Sequence, residues 1–397
     1  MQQLTTSRKL SMLISGLIIE LTLGIVYAYS VLRVYLENEL GLNQVESSIP
    51  YLLALFFFAF FVMISGRMMH EKSFNRWLIL GITCVVSGYF LAATSNELIL
   101  ISLSIGLLLG SGVGILYGIP VKIVQNLFSK RKGLTVGLTI GGFGLSSVIT
   151  APLLQLSLEQ TTLAQTFINF GIGSLIILSL FVSVLVYKTD ARKLYEKKLD
   201  EIEPLDKKMF TIFFVVFMIG IMFGLSIIGL TSYIGIKDYN LSIEKISLWI
   251  ILFSSCNGLS RPLFGYIYDR YKLKVSFLIL ILMTLFVSVF YLFVDVRNEL
   301  LFVITMGISW GTVGGYLSVM PNLTRDLFGE FKFAKTYGTM YFSYGIAAIV
   351  GNLYTSFMID QAIDFGMIFI PVIILNLIVA GFIFVYRYQP YQIRNLK

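Results

Sequence analysis

One histidine and two cysteines in 397 residues leave no cluster of metal ligands and no disulfide framework. Cys84 and Cys256 both lie inside apolar runs and read as small core residues. No Gly-Lys-Ser/Thr follows a strand pattern, so the phosphate cradle of an ATP-driven pump is missing. Neither a histidine cluster nor paired carboxylates occur within the apolar runs, which argues against an enzyme of the bilayer. Charge is scarce as well. Only 13% of residues are charged against 57% hydrophobic, with a mean hydropathy of +0.84, too little polar surface for a soluble globule of this size. The chain is therefore read as a membrane protein. Its formal net charge of +8 does not indicate nucleic acid, because the Lys and Arg residues form short clusters between apolar runs, where the positive-inside rule accounts for them.

Runs of about 17 to 25 apolar residues are long enough to cross a bilayer as helices. Twelve such spans are expected: Ser11–Leu32, Ser47–Met69, Trp77–Ala93, Leu98–Val121, Gly133–Leu156, Phe167–Tyr187, Met209–Tyr233, Ile246–Tyr268, Val275–Val294, Leu300–Leu323, Ala334–Met358 and Gly366–Tyr386. Arg8-Lys9 before the first run resembles the start of a signal peptide, but the run continues to Leu32, which makes it an uncleaved first helix. A mixed-charge stretch, 188–208, is the one obvious linker. It divides the chain into an N-terminal six-helix half, 1–187, and a C-terminal half, 209–397.

Basic loops alternate with acidic ones. Arg67, Lys72 and Arg76, then Lys130-Arg131-Lys132, the linker, Arg270, Lys272 and Lys274, then Arg325, Lys332 and Lys335 are assigned to the cytoplasm. Loops with Glu37, Glu39, Glu46, Glu97, Glu159, Asp360 and Asp364 are assigned outside, and both termini are cytoplasmic. The halves also repeat. Gly106, Gly110, Gly114, Pro120, Gly137 and Gly144 match Gly307, Gly311, Gly315, Pro321, Gly338 and Gly345 at one constant offset of 201 positions. Parallel repeats around a site at mid-membrane describe a large class of secondary transporters.

Few charges lie inside the spans: Glu20 in the first, Lys122 near the end of the fourth, Arg261 in the eighth and Arg325 just past the tenth. Lys122 and Arg325 can snorkel to water and read as structural. Arg261 is deeper, where even the mildest insertion scales charge about 2.5 to 3.5 kcal/mol. Asn257, four residues earlier, shares its helical face, so the two can bind an anionic oxygen. The alternative is an arginine locked in a structural ion pair. Glycines at 106, 110, 114 and 118, echoed at 307, 311 and 315, form a stripe for close helix approach, either as a rocking contact or as plain packing. Tyr27, Tyr29, Tyr117, Trp310, Tyr316, Tyr341 and Tyr344 can line a cavity or fill space.

These features carry a resemblance. The twelve-span layout, Gly66-Arg-Met-Met-His-Glu-Lys72 with its echo Gly265-Tyr-Ile-Tyr-Asp-Arg-Tyr-Lys272, and the central linker resemble the major facilitator superfamily. More specifically, Phe128-Ser-Lys-Arg-Lys-Gly-Leu-Thr-Val-Gly-Leu-Thr-Ile-Gly-Gly-Phe-Gly-Leu-Ser-Ser147, Ala151-Pro152 and Gly24-Ile-Val-Tyr-Ala-Tyr-Ser30 are similar to the oxalate/formate antiporter family and, more distantly, the monocarboxylate transporters. The shared eighth-span pattern is an acidic or polar residue, three others, then Arg-Pro and a nearby Gly; here it reads Asn257, Arg261-Pro262 and Gly265. The resemblance implies that Arg261 binds a substrate carboxylate. Two departures matter. Oxalate carriers have an eleventh-span lysine where Ser343-Tyr344-Gly345 stands, and animal monocarboxylate carriers have a first-span lysine at the place of Val31 and an aspartate at that of Asn257.

The expectation is therefore an all-α membrane protein of major facilitator fold in the plasma membrane. It moves a small organic anion, a monocarboxylate such as lactate, pyruvate or formate, by alternating access, in symport with a proton or in exchange for a counter-anion. The residues expected at the substrate are Arg261, Asn257, Tyr27, Tyr117, Trp310 and Tyr344, with Glu20 as the proton-coupling candidate; no metal and no cofactor is expected. Glu20, nine residues from Ser11, and Arg261, eight before Asp269, lie at similar depths of about 12 to 14 Å at 1.5 Å rise per residue. If they pair, an arriving carboxylate displaces Glu20, and a carboxylate left unpartnered in a low-dielectric cavity takes up a proton. The rivals are a structural salt bridge for that pair and, for the whole chain, a drug or cation efflux carrier, which calls for several buried carboxylates, or a transporter-like sensor, which calls for a signalling segment.

Overall fold

Apolar runs with no water to bond must satisfy their own backbone amides, and this chain does so with helices. The computed structural model describes residues 5–128, 131–187, 192, 207–275, 278–279, 281–283, 285, 288, 297–329, 333–361, 363 and 365–386, and no strand occurs among them. Eleven long helices are labelled in chain order: α1 Thr6–Leu40, α2 Gln44–Met68, α3 Phe74–Ala92, α4 Leu98–Leu127, α5 Lys132–Gln160, α6 Leu163–Tyr187, α7 Lys207–Asp238, α8 Ile243–Tyr271, α9 Glu299–Phe328, α10 Phe333–Asp360 and α11 Phe365–Tyr386. Among the described residues, nine helices are long and apolar enough to cross a membrane; α8, diluted by Asn257, Arg261 and its serines, is not one of them. The ninth expected span, Val275–Val294, lies largely outside the described residues. So do most of the linker at 188–208, of which Lys207 and Lys208 begin α7, and the loop residues Lys130, Lys332 and Asp364. The chain ends, 1–4 and 387–397, lie outside as well.

The helices are inside out by the standard of a water-soluble protein. Ile79, Ile99, Ile176, Leu248, Leu259 and Ile378 are each more than 60% exposed, while Glu20, Asn257 and Arg261 are fully buried. Within α8 alone, Leu259 and Leu263 face out and Asn257 and Arg261 face in, the polarity expected of a helix with lipid on one side and a polar centre on the other. Two long seams join the first part of the chain to the second, α5 against α8 and α2 against α10.

Three helices depart from regular geometry. The first expected span ends at Leu32, yet α1 runs on to Leu40 after a tighter 3₁₀ turn at Gly24–Ala28. At that turn α1 presses on α5 so closely that a β-carbon on Gly24 would overlap the Phe143 carbonyl and lie 2.7 Å from the Ser146 β-carbon. Wider π turns occupy Ser102–Leu109 of α4 and Ile234–Asp238 at the end of α7. Such irregular turns in membrane helices change which side chains face the centre. Here the 3₁₀ turn brings both Tyr27 and Tyr29 inward.

Candidate functional site

Arg261 sits at the α5–α8 seam with no exposed surface. Its Nη1 donates to the Ile140 carbonyl of α5 at 2.7 Å and its Nη2 to Asn257 Oδ1 at 2.9 Å, the i,i+4 partner on its own helix. The amide of Asn257 donates in turn to the Trp310 carbonyl of α9 at 2.8 Å, and the indole of Trp310 donates to Thr231 Oγ1 of α7 at 3.0 Å. Orientation of the guanidinium is thus passed through three helices. Among the described residues its Nε has no hydrogen-bond partner and no carboxylate forms an ion pair with it. Gly144 of α5 keeps that side clear, since a β-carbon there would lie 2.5 Å from Asn257 Oδ1 and 2.9 Å from Arg261 Nε.

Around the guanidinium stands a cage of aromatic rings. Its Cζ lies 5.6 Å from the centre of Phe143 and 6.0 Å from that of Tyr27. Tyr27 Oη meets Tyr344 Oη at 3.3 Å, and Phe58, Tyr117, Tyr341 and Tyr344 pack ring to ring with centroids 5.0 to 5.7 Å apart. The Tyr117 hydroxyl has no partner. Glu20 of α1 is fully buried, and among the described residues neither of its carboxylate oxygens has a hydrogen-bond partner. The pairing considered for Glu20 and Arg261 is not formed in this structure: the guanidinium is turned onto Ile140 and Asn257 instead. Chemically, the centre offers a fixed positive charge with an unspoken N–H, tyrosine hydroxyls and apolar ring faces, the makings of a site for a small anion with a hydrophobic body.

A second buried arginine lies near the other end of α1. Arg33, 3% exposed, pairs with Glu37 at 3.0 Å and also donates to Ser47 Oγ, to the carbonyl and side-chain oxygens of Gln44, and across to the Gly229 carbonyl of α7. Ser47 and Gln44 donate to Glu37 as well, so every charge in the cluster is answered. At the opposite end of the molecule Asp269 of α8 accepts from the Gly133 and Leu134 amides at 2.9 and 3.1 Å, closing the open N-terminus of α5. Both clusters join the first part of the chain to the second, through Arg33 to Gly229 and through Asp269 to Gly133 and Leu134.

Of the residues expected at the substrate, Arg261, Tyr27, Tyr117 and Tyr344 come together in one cage, and Asn257 and Trp310 hold Arg261 from behind. Tyr29 and Tyr316 are spent on backbone carbonyls, those of Ser47 and Val216. The glycine stripe is tight at Gly106, Gly110 and Gly114 in the first half and at Gly315, against the Phe264 ring, in the second, while Gly118 meets nothing within 4 Å. Gly110 lies against the Ala54 backbone of α2, whereas Gly307 and Gly311 make only ordinary contact with α8, where Gly314 makes a close backbone approach. Sequence reading missed Arg33, because the first span was ended one residue short of it. The Arg33-x-x-x-Glu37 spacing is the signal that could have extended the helix.

The Major Facilitator Superfamily profile matches residues 210–396. An uncharacterized MFS-type transporter, YhjX, of Escherichia coli (strain K12) is 24% identical over 343 residues, 85% of each chain. The oxalate:formate antiporter of Oxalobacter formigenes is 28% identical over 255 residues, 62% of this chain and 60% of its own length. Monocarboxylate transporter 12 of Xenopus laevis is 21% identical over 325 residues, 74% of this chain and 70% of its own.

Proposed function

We propose that this chain is a multi-pass membrane transporter of the major facilitator superfamily, not an enzyme, which carries a monocarboxylate across the plasma membrane; the profile match over 210–396 and the similarity to the oxalate:formate antiporter and the monocarboxylate transporters support this reading. Two six-helix halves, 1–187 and 209–397, joined by the linker at 188–208 and with twelve spans in all, rock around the cage at Arg261. The basic ends of the helices and both termini face the cytoplasm. The observation that carries this reading is a fully buried arginine that, among the described residues, is held by neutral partners with one N–H uncommitted, and that has the Tyr27 and Phe143 rings within 6.0 Å. A buried guanidinium without a carboxylate suits a site whose counter-charge arrives with the cargo. A cation carrier would place carboxylates there. Tyr344 stands where the oxalate carriers have a lysine, so a single fixed cation meets a single carboxylate.

Uptake of labelled lactate, pyruvate, formate and oxalate into proteoliposomes, with and without a pH gradient, tests this. At least one monocarboxylate should accumulate, and oxalate should be the slowest by about tenfold, the cost of about 1.4 kcal/mol for the second, unmatched charge. Oxalate carried as fast as formate or lactate, or no carboxylate carried at all, overturns the assignment.

Glu20 is proposed as the proton site. Like Arg261 it is fully buried, and buried charges interact over distances longer than a salt bridge spans. Binding of an anion at Arg261 then changes the field at Glu20, which makes anion and proton binding cooperative, as symport requires. Glu20→Gln should abolish pH-driven accumulation while sparing exchange of internal for external substrate. Undiminished proton-driven uptake by a well-expressed Glu20→Gln carrier removes the role.

A further inference from the structure

A small pocket, open at its mouth, lies where α2 and α4 end and α10 begins. It straddles a seam, with Ser65 of α2, Gly118 and Lys122 of α4, and Ala334 and Tyr337 of α10 in its wall; Lys122 is the one charged residue that lines it. Three observations separate it from a packing fault. A β-carbon added at Gly118 meets nothing within 4 Å, so the space is kept open by the residue type. The Tyr337 hydroxyl is buried and, among the described residues, has no hydrogen-bond partner. And the cavity is connected to Arg261 by aromatic contact: Tyr337 to Tyr341 with centroids 5.6 Å apart, Tyr341 to Tyr344 at 5.1 Å, Tyr344 to Tyr27 through their hydroxyls at 3.3 Å, and Tyr27 to the guanidinium.

We propose that this cavity is a second binding station for the carboxylate, formed by the Lys122 ammonium and the Tyr337 hydroxyl, which the anion occupies between Arg261 and the cytoplasm. The proposal rests on the transport reading above and adds to it where the anion goes on leaving the cage. Moving a carboxylate from a guanidinium into an apolar passage without a new partner costs several kcal/mol. A second cation a short distance along divides that step in two. The difference in residue type fits the difference in task. Arginine offers a planar fork that holds and orients a carboxylate, whereas lysine is a point charge on a flexible stem that can follow an anion and let it go. Conduction through several sites needs each to be attractive enough to enter and weak enough to leave. The Arg33 cluster lies at the other end of α1, so the station serves one face of the membrane only.

That one-sidedness is the test. The carboxylate that the intact protein transports best among labelled lactate, pyruvate and formate is presented separately at each face of proteoliposomes in which the protein is inserted in one orientation. Lys122→Gln should raise the KM at the face bearing the α2–α4 ends by about tenfold, the worth of one charge-assisted hydrogen bond, and leave the KM at the opposite face within about twofold. Lys122→Arg should recover most of the affinity. Gly118→Leu, which fills the space and favours the helix, should reproduce the one-sided loss without touching the charge, and so serves if Lys122→Gln expresses poorly. Tyr337→Phe should shift the KM in the same sense by about threefold. Equal shifts at both faces, or none at either, overturn the station while leaving carboxylate transport by the intact protein as evidence for the function. An intact protein that carries no carboxylate overturns the function and the station together.

Discussion

Arg33 and Arg261 are both buried arginines in helices of one protein, and they are treated in opposite ways. Arg33 has its own carboxylate four residues on, a hydroxyl, an amide and two backbone carbonyls, and Glu37 is answered as fully as the arginine itself. Arg261 has one carbonyl and one amide oxygen, an Nε with no partner, and no carboxylate in contact. A charge compensated within the fold fixes structure, because its removal strands the partner. A charge left with neutral partners is available to a ligand. Location agrees with this division: Arg33 reaches across to Gly229 of α7 at one end of the molecule, as a clamp between the two parts of the chain, whereas Arg261 sits at the centre behind an aromatic cage.

Exchanging the two residues for weaker ones breaks the comparison most sharply. Arg261→Lys keeps the charge and loses the fork, and transport should fall by about a hundredfold with little change in thermal stability. Arg33→Gln should do the reverse, destabilising the protein by about 3 kcal/mol by leaving Glu37 without its cation, while the substrate KM stays within about twofold. Paired measurements of melting temperature and uptake kinetics on the two variants decide it; a stability loss in Arg261→Lys comparable to that in Arg33→Gln would make both arginines structural. A smaller change tests the space at the central site. Gly144→Ala puts a methyl group against Asn257 Oδ1 and Arg261 Nε and should raise the KM by about tenfold, with the maximal rate less affected. The smallest effect is expected of Tyr344→Phe, which removes the hydroxyl shared with Tyr27 and should weaken binding by about fivefold, read as a KM shift in the same uptake experiment.

Arg261 and Asn257 were legible in the sequence as a pair because i,i+4 spacing on a helix is geometry, and a charge in an apolar run is costly wherever the helix lies. Trp310 was legible as a residue but not in its role. Its contribution is a backbone carbonyl to Asn257, and which carbonyl a side chain meets depends on where two helices cross. Arg33 escaped because hydropathy ended the first span at Leu32, while the 3₁₀ turn at Gly24–Ala28 and the helix beyond it carry the chain on to Leu40 inside the protein. Lys122 was read as a snorkelling residue from its place near the helix end, and that it lines a pocket between α2, α4 and α10 depends on how those helices pack.

What the sequence determined by itself is one-dimensional physics: that the chain is a membrane protein of long helices, which face of α8 is polar, and that a permanent charge stands at Arg261 with Asn257 beside it. The cost of moving polar groups into lipid decides these points residue by residue, whatever the rest of the fold does. Tertiary structure alone decided which charges are compensated. Glu37 answers Arg33 because the helix is not broken between them, and Glu20, considered as a partner for Arg261, does not pair with it, the guanidinium being held by Ile140 of α5 and Asn257 of α8 instead. Whether residues on different helices, such as Glu20 and Arg261, pair depends on ångström distances between elements far apart in the chain, which composition and periodicity do not encode.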